Sequence, residues 1–429
     1  MIAEGMLHRQ DRTRHVLRMM SVFIIVSGWL LAGCMESATV EIDAETRRLL
    51  DDALVTQEAG YTPLALAFVD SAISRQPNHA TPHFIRAQFL SEMNKIDEAE
   101  LAYKEVLQFD EEYQNVWFQL GDIAFAKREY SEALDRYEEE AALLDRKKSQ
   151  YGTPFTVQYN ESMSLLSLQR GRAHRQLGES EKARAEFASA IEFDSLNTAA
   201  YSDLSQAFQE AGQNPEALQY AQKALQQNPL NPDYLYQVGS LLYDNERIEE
   251  SVPLLQGALQ QKPWLSGAMY KLGLALVSME EEETGTAYLK MADSLQAKNE
   301  RIQKARFNAE KYADDPNQWV ALARQLLEVG RVDEAMYPLN TAYSLDPENL
   351  SIQNDLANIA LVGGDTALAK VRLEKILDTN PTFAEGWFNL GVINAMQGNY
   401  KEAQLHWENV IQLDPTHQEA RDYLARLAE

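Results

Sequence analysis

Cysteine and basic residues are scarce in this chain. Cys34 is the only cysteine among 429 residues, so no intrachain disulfide can form. The 39 lysines and arginines face 65 aspartates and glutamates, which gives a formal net charge of -26 at pH 7. Because binding to nucleic acid depends on basic side chains that neutralise phosphates, the composition excludes nucleic acid as an expected partner.

Motifs for catalysis, cofactors and metals are also missing. The seven histidines form no His-Glu-x-x-His pair. The chain has neither a phosphate-binding loop that ends in Gly-Lys-Ser/Thr nor a Gly-x-Ser-x-Gly elbow. The acidic run Glu280–Glu283 lacks the alternating ligands of a calcium loop and is interpreted as a solvated turn. We therefore predict that the protein is not an enzyme and needs no cofactor or metal.

The N-terminal apolar run, residues 21–32, is too short to cross a bilayer, which takes about 20 residues. Arginines precede it, as is typical of a signal peptide. It ends in Leu31-Ala32-Gly33-Cys34, which resembles the bacterial lipoprotein signal. The resemblance implies cleavage between Gly33 and Cys34 and lipidation of Cys34. The alternative is a cysteine that lies at the end of a signal peptide by chance.

A lipidated Cys34 would tether the protein to a membrane without embedding it, because each buried methylene contributes about 0.8 kcal/mol. Residues 1–33 are then the signal peptide and residues 34–45 the tether. By the sorting rule of such lipoproteins, Met35 rather than an aspartate favours the outer membrane of a bacterial cell envelope.

An alanine recurs every 34 residues along most of the chain, at Ala65, Ala99 and Ala133 and again in two later runs. Small Ser251 and Gly285 take the place of the alanine in two units. The spacing widens to 50 residues twice, from Ala133 to Ala183 and from Gly285 to Ala335, which indicates two 16-residue insertions. With the alanine as position 20, ten units follow in a 3 + 4 + 3 grouping. They begin at Thr46, Ala80, Gln114, Ser164, Thr198, Pro232, Ser266, Pro316, Leu350 and Ala384.

Other positions of the unit predict paired helices. Position 8 is always small and position 27 is mostly alanine, which lets two helices approach closely. Prolines close the second helix of most units, because proline disfavours helical geometry in the residue before it. Glycines mark the turn between the two helices, at Gly60, Gly178, Gly212, Gly330, Gly364 and Gly398.

Large apolar residues at positions 4, 7 and 24 complete the pattern, as at Trp387, Leu390 and Trp407 in the last unit. Residues 46–417 resemble the tetratricopeptide repeat family. The resemblance implies an all-α, right-handed superhelical solenoid of antiparallel helix pairs with about ten repeats. Three blocks, 46–147, 164–299 and 316–417, are separated by insertions at 148–163 and 300–315, and residues 418–429 form a capping helix.

In this family, positions 2, 5, 9, 12 and 13 of the first helix line a concave groove that binds peptide segments. Packing between units is the alternative role for the aromatic residues found there. Acidic residues outnumber basic ones on this lining, which favours a neutral or basic protein or peptide partner. The candidate groove residues are Phe84, Phe118, Phe125, Arg172, Arg175, Tyr236, Tyr243, Tyr270 and Phe388.

The two insertions are further candidates for partner contact. Residues 148–163 contain a turn with aromatic residues, which predicts either a contact loop or a spacer. Residues 300–315 contain no proline or glycine, so they are expected to prolong the preceding helix. A basic stripe of Lys298, Arg301 and Lys304 on this helix either binds a partner or pairs with acidic neighbours.

Three functions remain open at this point. The first is a lipid-anchored, non-catalytic scaffold that binds envelope proteins through its groove. The second is an assembly factor for a pilus, secretion or surface-polysaccharide system. The third is an enzyme or a glycan binder, and an aromatic groove would then bind sugar at high salt and lose it on Phe118→Ala or Tyr243→Ala.

Overall fold

A computed structural model describes residues 41–58, 62–93 and 95–427, and within these ranges every regular element is a helix. The predicted signal segment, Gly33, Cys34 and Gly60 lie outside the described residues. Ten helix pairs are followed by a single terminal helix: α1 (Ala44–Glu58) with α2 (Thr62–Arg75), α3 (Ala80–Glu92) with α4 (Ile96–Phe109), α5 (Val116–Ala126) with α6 (Tyr130–Tyr151), α7 (Thr156–Gln176) with α8 (Ser180–Phe193), α9 (Thr198–Glu210) with α10 (Asn214–Gln227), α11 (Pro232–Asp244) with α12 (Ile248–Gln261), α13 (Ser266–Ser278) with α14 (Glu282–Lys311), α15 (Pro316–Glu328) with α16 (Val332–Leu345), α17 (Leu350–Val362) with α18 (Thr366–Thr379), α19 (Ala384–Met396) with α20 (Tyr400–Leu413), and α21 (Gln418–Leu427).

Consecutive helices pack as pairs, and each pair packs on its neighbours within two compact bodies. The bodies divide between Val116 and Trp117. The predicted all-α fold of stacked helix pairs is confirmed. Seven of the first helices begin at the residue where the 34-residue register starts a unit: Ala80, Thr198, Pro232, Ser266, Pro316, Leu350 and Ala384.

Small residues hold the two helices of each pair close together. Position 8 of the unit lies on the first helix and position 20 lies on the second, and both are buried in every unit. In unit 10, a Cβ added to Gly391 would overlap the indole of Trp407, whose Nε1 donates a hydrogen bond to the carbonyl of Phe388 at 3.1 Å. In unit 7, a Cβ on Gly285 would come within 2.7 Å of the carbonyl oxygen of Gly273.

Position 24 of the unit, on the second helix, belongs to the core that joins successive units. Leu255 in unit 6, for example, lies against Gly239 of its own unit and shares a core cluster with Ala268 and Leu272 of the next unit. In unit 7 the equivalent residue, Leu289, is only half-buried. The other nine residues at this position are almost completely buried: Val69, Tyr103, Tyr137, Phe187, Ala221, Leu255, Leu339, Leu373 and Trp407.

Unit 7 is different because helix α14 continues for 30 residues. The second insertion is thus helical as far as Lys311, as its composition predicts. Helix α15 packs on this second half of α14, where Ile302 and Ala309 join Trp319 in one core cluster. The last residue of α15, Glu328, lies beside Lys298. The first half of α14, before Lys298, therefore lacks the cover that a following first helix gives in other units.

The first insertion also lengthens helices. Helices α6 and α7 have 22 and 21 residues, and between them stand Gly152 and a single 3₁₀ turn at Thr153–Phe155. Phe155 and Tyr159 are buried in the core, and the Tyr159 hydroxyl donates to Asp145 Oδ1 at 2.8 Å. Packing between the lengthened helices buries these aromatic residues, so the spacer alternative describes them.

Helix α21 closes the C-terminal end of the stack. Ala420 is buried against the last pair, and the Tyr423 ring lies 4.9 Å from the Trp407 ring. Arg421 and Asp422 remain exposed. This division into an apolar inner side and a polar outer side confirms the predicted capping helix.

Across residues 41–58, 62–93 and 95–427, no helix combines the length and the apolar character that crossing a bilayer requires.

Candidate binding groove

The predicted groove lining lies on the first helices of the pairs, and its aromatic residues differ in exposure. Tyr270 is 47% exposed, whereas Phe118, Phe125, Tyr236 and Tyr243 are half-buried. Helical periodicity places positions 2, 5, 9, 12 and 13 on neighbouring parts of one helix face. These five aromatic residues therefore keep some surface for a partner.

Two predicted groove residues pack against neighbouring aromatic side chains. Phe84 is buried, with its ring 5.6 Å from that of Tyr103 and 5.0 Å from that of Tyr113. Phe388 packs between the last repeat and the cap, with its ring 4.8 Å from the His417 ring. The alternative of packing describes the buried Phe84, whereas Phe388 packs and is also half-buried like the other groove aromatics.

The basic residues of the lining are occupied by acidic neighbours. Arg172 Nε donates to Asp203 Oδ2 at 2.7 Å, and Arg175 Nη1 lies 3.5 Å from the other oxygen of Asp203. In unit 8, Arg324 Nη2 lies 3.1 Å from Asp355 Oδ2. Their charges are therefore largely balanced within the protein.

Both aspartates stand at position 6, which the sequence analysis did not identify. This position pairs with the groove face of the preceding unit: Gln237 accepts from Ser202 at 2.8 Å, and the Asn389 amide donates to Asn354 at 2.9 Å. The sequence does contain a signal for position 6, because polar residues recur there between positions 4 and 7, which are buried in most units. These polar residues are Asp51, Gln119, Gln169, Asp203, Gln237, Lys271, Asp355 and Asn389.

Family models match most of the repeat region. A model described as "Tetratricopeptide repeat" matches residues 86–150, 168–232 and 202–266. A second, described as "Cytochrome c-type biogenesis protein H TPR domain", matches residues 306–421. The chain belongs to the tetratricopeptide repeat (TPR) family. Because TPR proteins bind protein or peptide partners, it is a TPR scaffold for protein interactions.

Three solved structures are similar to parts of this chain at low identity. PilW, a widely conserved type IV pilus biogenesis factor, is 15% identical over 55% of this chain and 99% of its own, with a TM-score of 0.41. PilF of Pseudomonas aeruginosa is 20% identical over 53% of this chain and 96% of its own, with a TM-score of 0.30. YrrB, a TPR protein with an unusual peptide-binding site, is 18% identical over 60% of this chain and 90% of its own, with a TM-score of 0.26. Among curated proteins, none matches the chain.

The basic stripe of this TPR chain is partly paired. Lys298 Nζ and Arg301 Nη2 lie 3.3 and 3.5 Å from Glu328 Oε1, and Lys304 is exposed further along the same helix. The pairing with acidic neighbours describes two of the three residues. In the described part of the chain, no group of three or more His, Cys, Asp or Glu side chains is placed to hold a metal ion.

Asp122 is the most perturbed carboxyl group on the groove lining. Burial raises its pKa from 3.8 to about 6, although the Tyr137 hydrogen bond and the nearby charge of Arg172 favour its ionised form. The Tyr137 hydroxyl donates to Oδ1 at 2.7 Å, and the Gln169 amide donates to the same atom at 3.2 Å. The carboxyl group is held between units 3 and 4 of the TPR stack.

The raised pKa of Asp122 predicts a pH-dependent contribution to stability. The folded chain binds the Asp122 proton more tightly than the unfolded chain, so this contribution is fully present below about pH 4 and is lost as pH rises to about 6. Asparagine can accept both hydrogen bonds without charge. We expect the free energy of unfolding of Asp122→Asn, measured relative to wild type, to rise by about 2 kcal/mol between about pH 4 and pH 7.

Urea unfolding at a series of pH values measures this difference. The matched control is Asp293→Asn, because Asp293 is exposed. A constant difference between Asp122→Asn and wild type across the series would contradict the assignment.

Proposed function

We propose that this protein is a non-catalytic TPR scaffold that is tethered to the bacterial cell envelope through lipid on Cys34. It holds neutral or basic segments of partner proteins in its groove. A narrower form of this proposal is an assembly factor for a pilus, secretion or surface-polysaccharide system. The identity of the captured proteins separates the two forms.

The charge balance of the groove lining is the observation that supports the binding proposal most. Exposed carboxylates stand on the lining in both bodies, while Arg172, Arg175 and Arg324 are neutralised by aspartates of the next unit. Complementary charge favours encounter with basic segments and disfavours acidic ones. The exposed acidic residues are Glu92, Glu210, Asp233, Asp244, Glu328 and Glu385. Three of them are paired with basic side chains, Asp233 with Lys262, Asp244 with Lys271, and Glu328 with Lys298 and Arg301.

The aromatic residues support the same proposal. Tyr243 and Tyr270 stand at positions 12 and 5 of consecutive first helices, and each retains accessible surface. Rigid aromatic rings beside carboxylates provide apolar anchors together with charge selection.

The tether proposal is supported by the residues around Cys34 and by the short distance to the fold. Helix α1 begins at Ala44. Nine residues separate it from Cys34, and a fully extended chain of that length reaches about 30 Å. The first repeats would therefore lie near the membrane surface, with an outer-membrane position favoured by Met35.

Cells that express Cys34→Ser test the tether. Wild-type protein should incorporate a radiolabelled fatty acid and yield a mature N-terminus at Cys34, whereas Cys34→Ser should remain unlabelled and uncut. Because the chain has no second cysteine, no other thiol can take the label. Absence of label on wild type, or equal label on the variant, would contradict lipidation.

Photo-crosslinking in intact cells tests the groove. A photoreactive phenylalanine analogue replaces Phe118 on the groove face or, as the matched control, Leu405, which is exposed on the second helix of unit 10. We expect discrete protein adducts from position 118 and none from position 405. Mass spectrometry identifies the adducts, and equal adducts at both positions, or none at either, would contradict groove binding.

A further inference from the structure

An uncovered apolar surface lies at unit 7, where helix α14 extends beyond the end of its repeat. It consists of Tyr270, Leu274 and Val277 on α13 and Leu289 on α14, and we name it the break surface. Tyr270 and Val277 are 47% and 38% exposed, and Leu274 and Leu289 are half-buried. The spacing 270, 274, 277 places three apolar side chains on one face of α13.

The corresponding positions are less exposed where the stack continues, because Tyr236 and Tyr243 of unit 6 are half-buried and Ser240 is buried. In unit 6, Leu255 is completely buried in a core cluster that includes Ala268 and Leu272 of the following first helix, and the Tyr236 hydroxyl lies over Gly267. Position 28, which also faces the following unit, is Leu259 there but is the exposed Asp293 in unit 7. Position 28 is apolar in the other nine units: Ile73, Leu107, Ala141, Ile191, Leu225, Leu259, Tyr343, Leu377 and Ile411.

The uncovered space has the dimensions of one helix. Helix α15 packs on α14 only from about Lys298 onward, as its end at Glu328 marks. From Glu282 to Ala297, α14 rises by about 24 Å at 1.5 Å per residue. The first helices of most units have 13 residues, about 20 Å, and would fit along this length.

The charges beside the break surface have one sign. Between Glu280 and Gln296 the chain carries five carboxylates, Glu280–Glu283 and Asp293, against the single basic residue Lys290. All five carboxylates are exposed. On the groove side, Lys271 is bonded to Asp244 and lies 5.0 Å from the Tyr243 ring, so its charge is balanced.

We infer that the break surface binds an amphipathic helix of a partner protein that carries lysine or arginine beside its apolar stripe. This helix takes the place that the first helix of a following unit has elsewhere in the stack. Its apolar stripe covers Tyr270, Leu274 and Val277, and its basic residues meet Glu280–Glu283 and Asp293. Because positions 5, 9 and 12 also line the groove, the inference rests on the proposed groove binding and specifies the partner segment at unit 7.

A designed peptide tests the inference. The probe is a fluorescein-labelled 16-residue helix with leucines at i, i+3, i+4 and i+7 spacing and lysine or arginine at the flanking positions. The comparison peptide has glutamate at every basic position. Binding is measured by fluorescence anisotropy to the full-length chain in phosphatidylcholine nanodiscs, with empty nanodiscs as the blank.

The variants separate the break surface from other exposed sites. Tyr270→Ser should weaken binding of the basic peptide about tenfold, and Glu281→Lys should weaken it in a salt-dependent way. The matched controls Tyr400→Ser and Glu419→Lys alter exposed residues elsewhere and should leave affinity within about twofold of wild type. Circular dichroism melting of each variant establishes that the fold is retained.

Three results would overturn the inference. They are equal affinity for the two peptides, equal loss in Tyr270→Ser and Tyr400→Ser, and no binding of the basic peptide. Self-association of the chain that Tyr270→Ser abolishes would instead make a second copy the occupant and would also overturn it. Crosslinks from position 118 that persist in any of these cases would leave the groove proposal standing.

Discussion

The close approach of two helices within each repeat is the constraint on which the rest of the structure depends. Small residues at positions 8 and 20 bring the helix backbones together, and at Gly273 and Gly285 no side-chain atom fits between them. The pair then presents position 24 as a single apolar surface to the next unit. Because no pair can bury this surface alone, the repeats must stack.

Stacking also decides which residues remain for function. On the groove face, polar residues at position 6 bind the preceding unit, and they neutralise Arg172, Arg175 and Arg324. Exposed carboxylates and partly exposed tyrosines remain. At the second insertion, α15 packs beyond Lys298, and the stacking surface of unit 7 is left open beside an acidic turn. Both surfaces favour basic partner segments for the same electrostatic reason.

The period of 34 residues predicted the helix pairs, the lengthening of α14 and the cap, because close packing permits only small residues at fixed positions. It could not predict the exposure of each groove residue, since Phe84 and Phe388 depend on neighbours distant in sequence. A search for turn glycines also misses Arg128, Glu246 and Glu280, which hold the same left-handed conformation. The sequence does mark the uncovered surface of unit 7, because Asp293 interrupts a column of apolar residues at position 28.

The uncovered stacking surface of unit 7 is the central claim, and paired truncations test it most directly. Leu255 and Leu289 occupy position 24 in adjacent units, one completely buried and one half-buried. Urea unfolding of the full chain should show that Leu255→Ala costs about 3 kcal/mol and Leu289→Ala about 1 kcal/mol, because only the first leaves a closed cavity. Equal losses would mean that unit 7 is covered like its neighbours and would contradict the account.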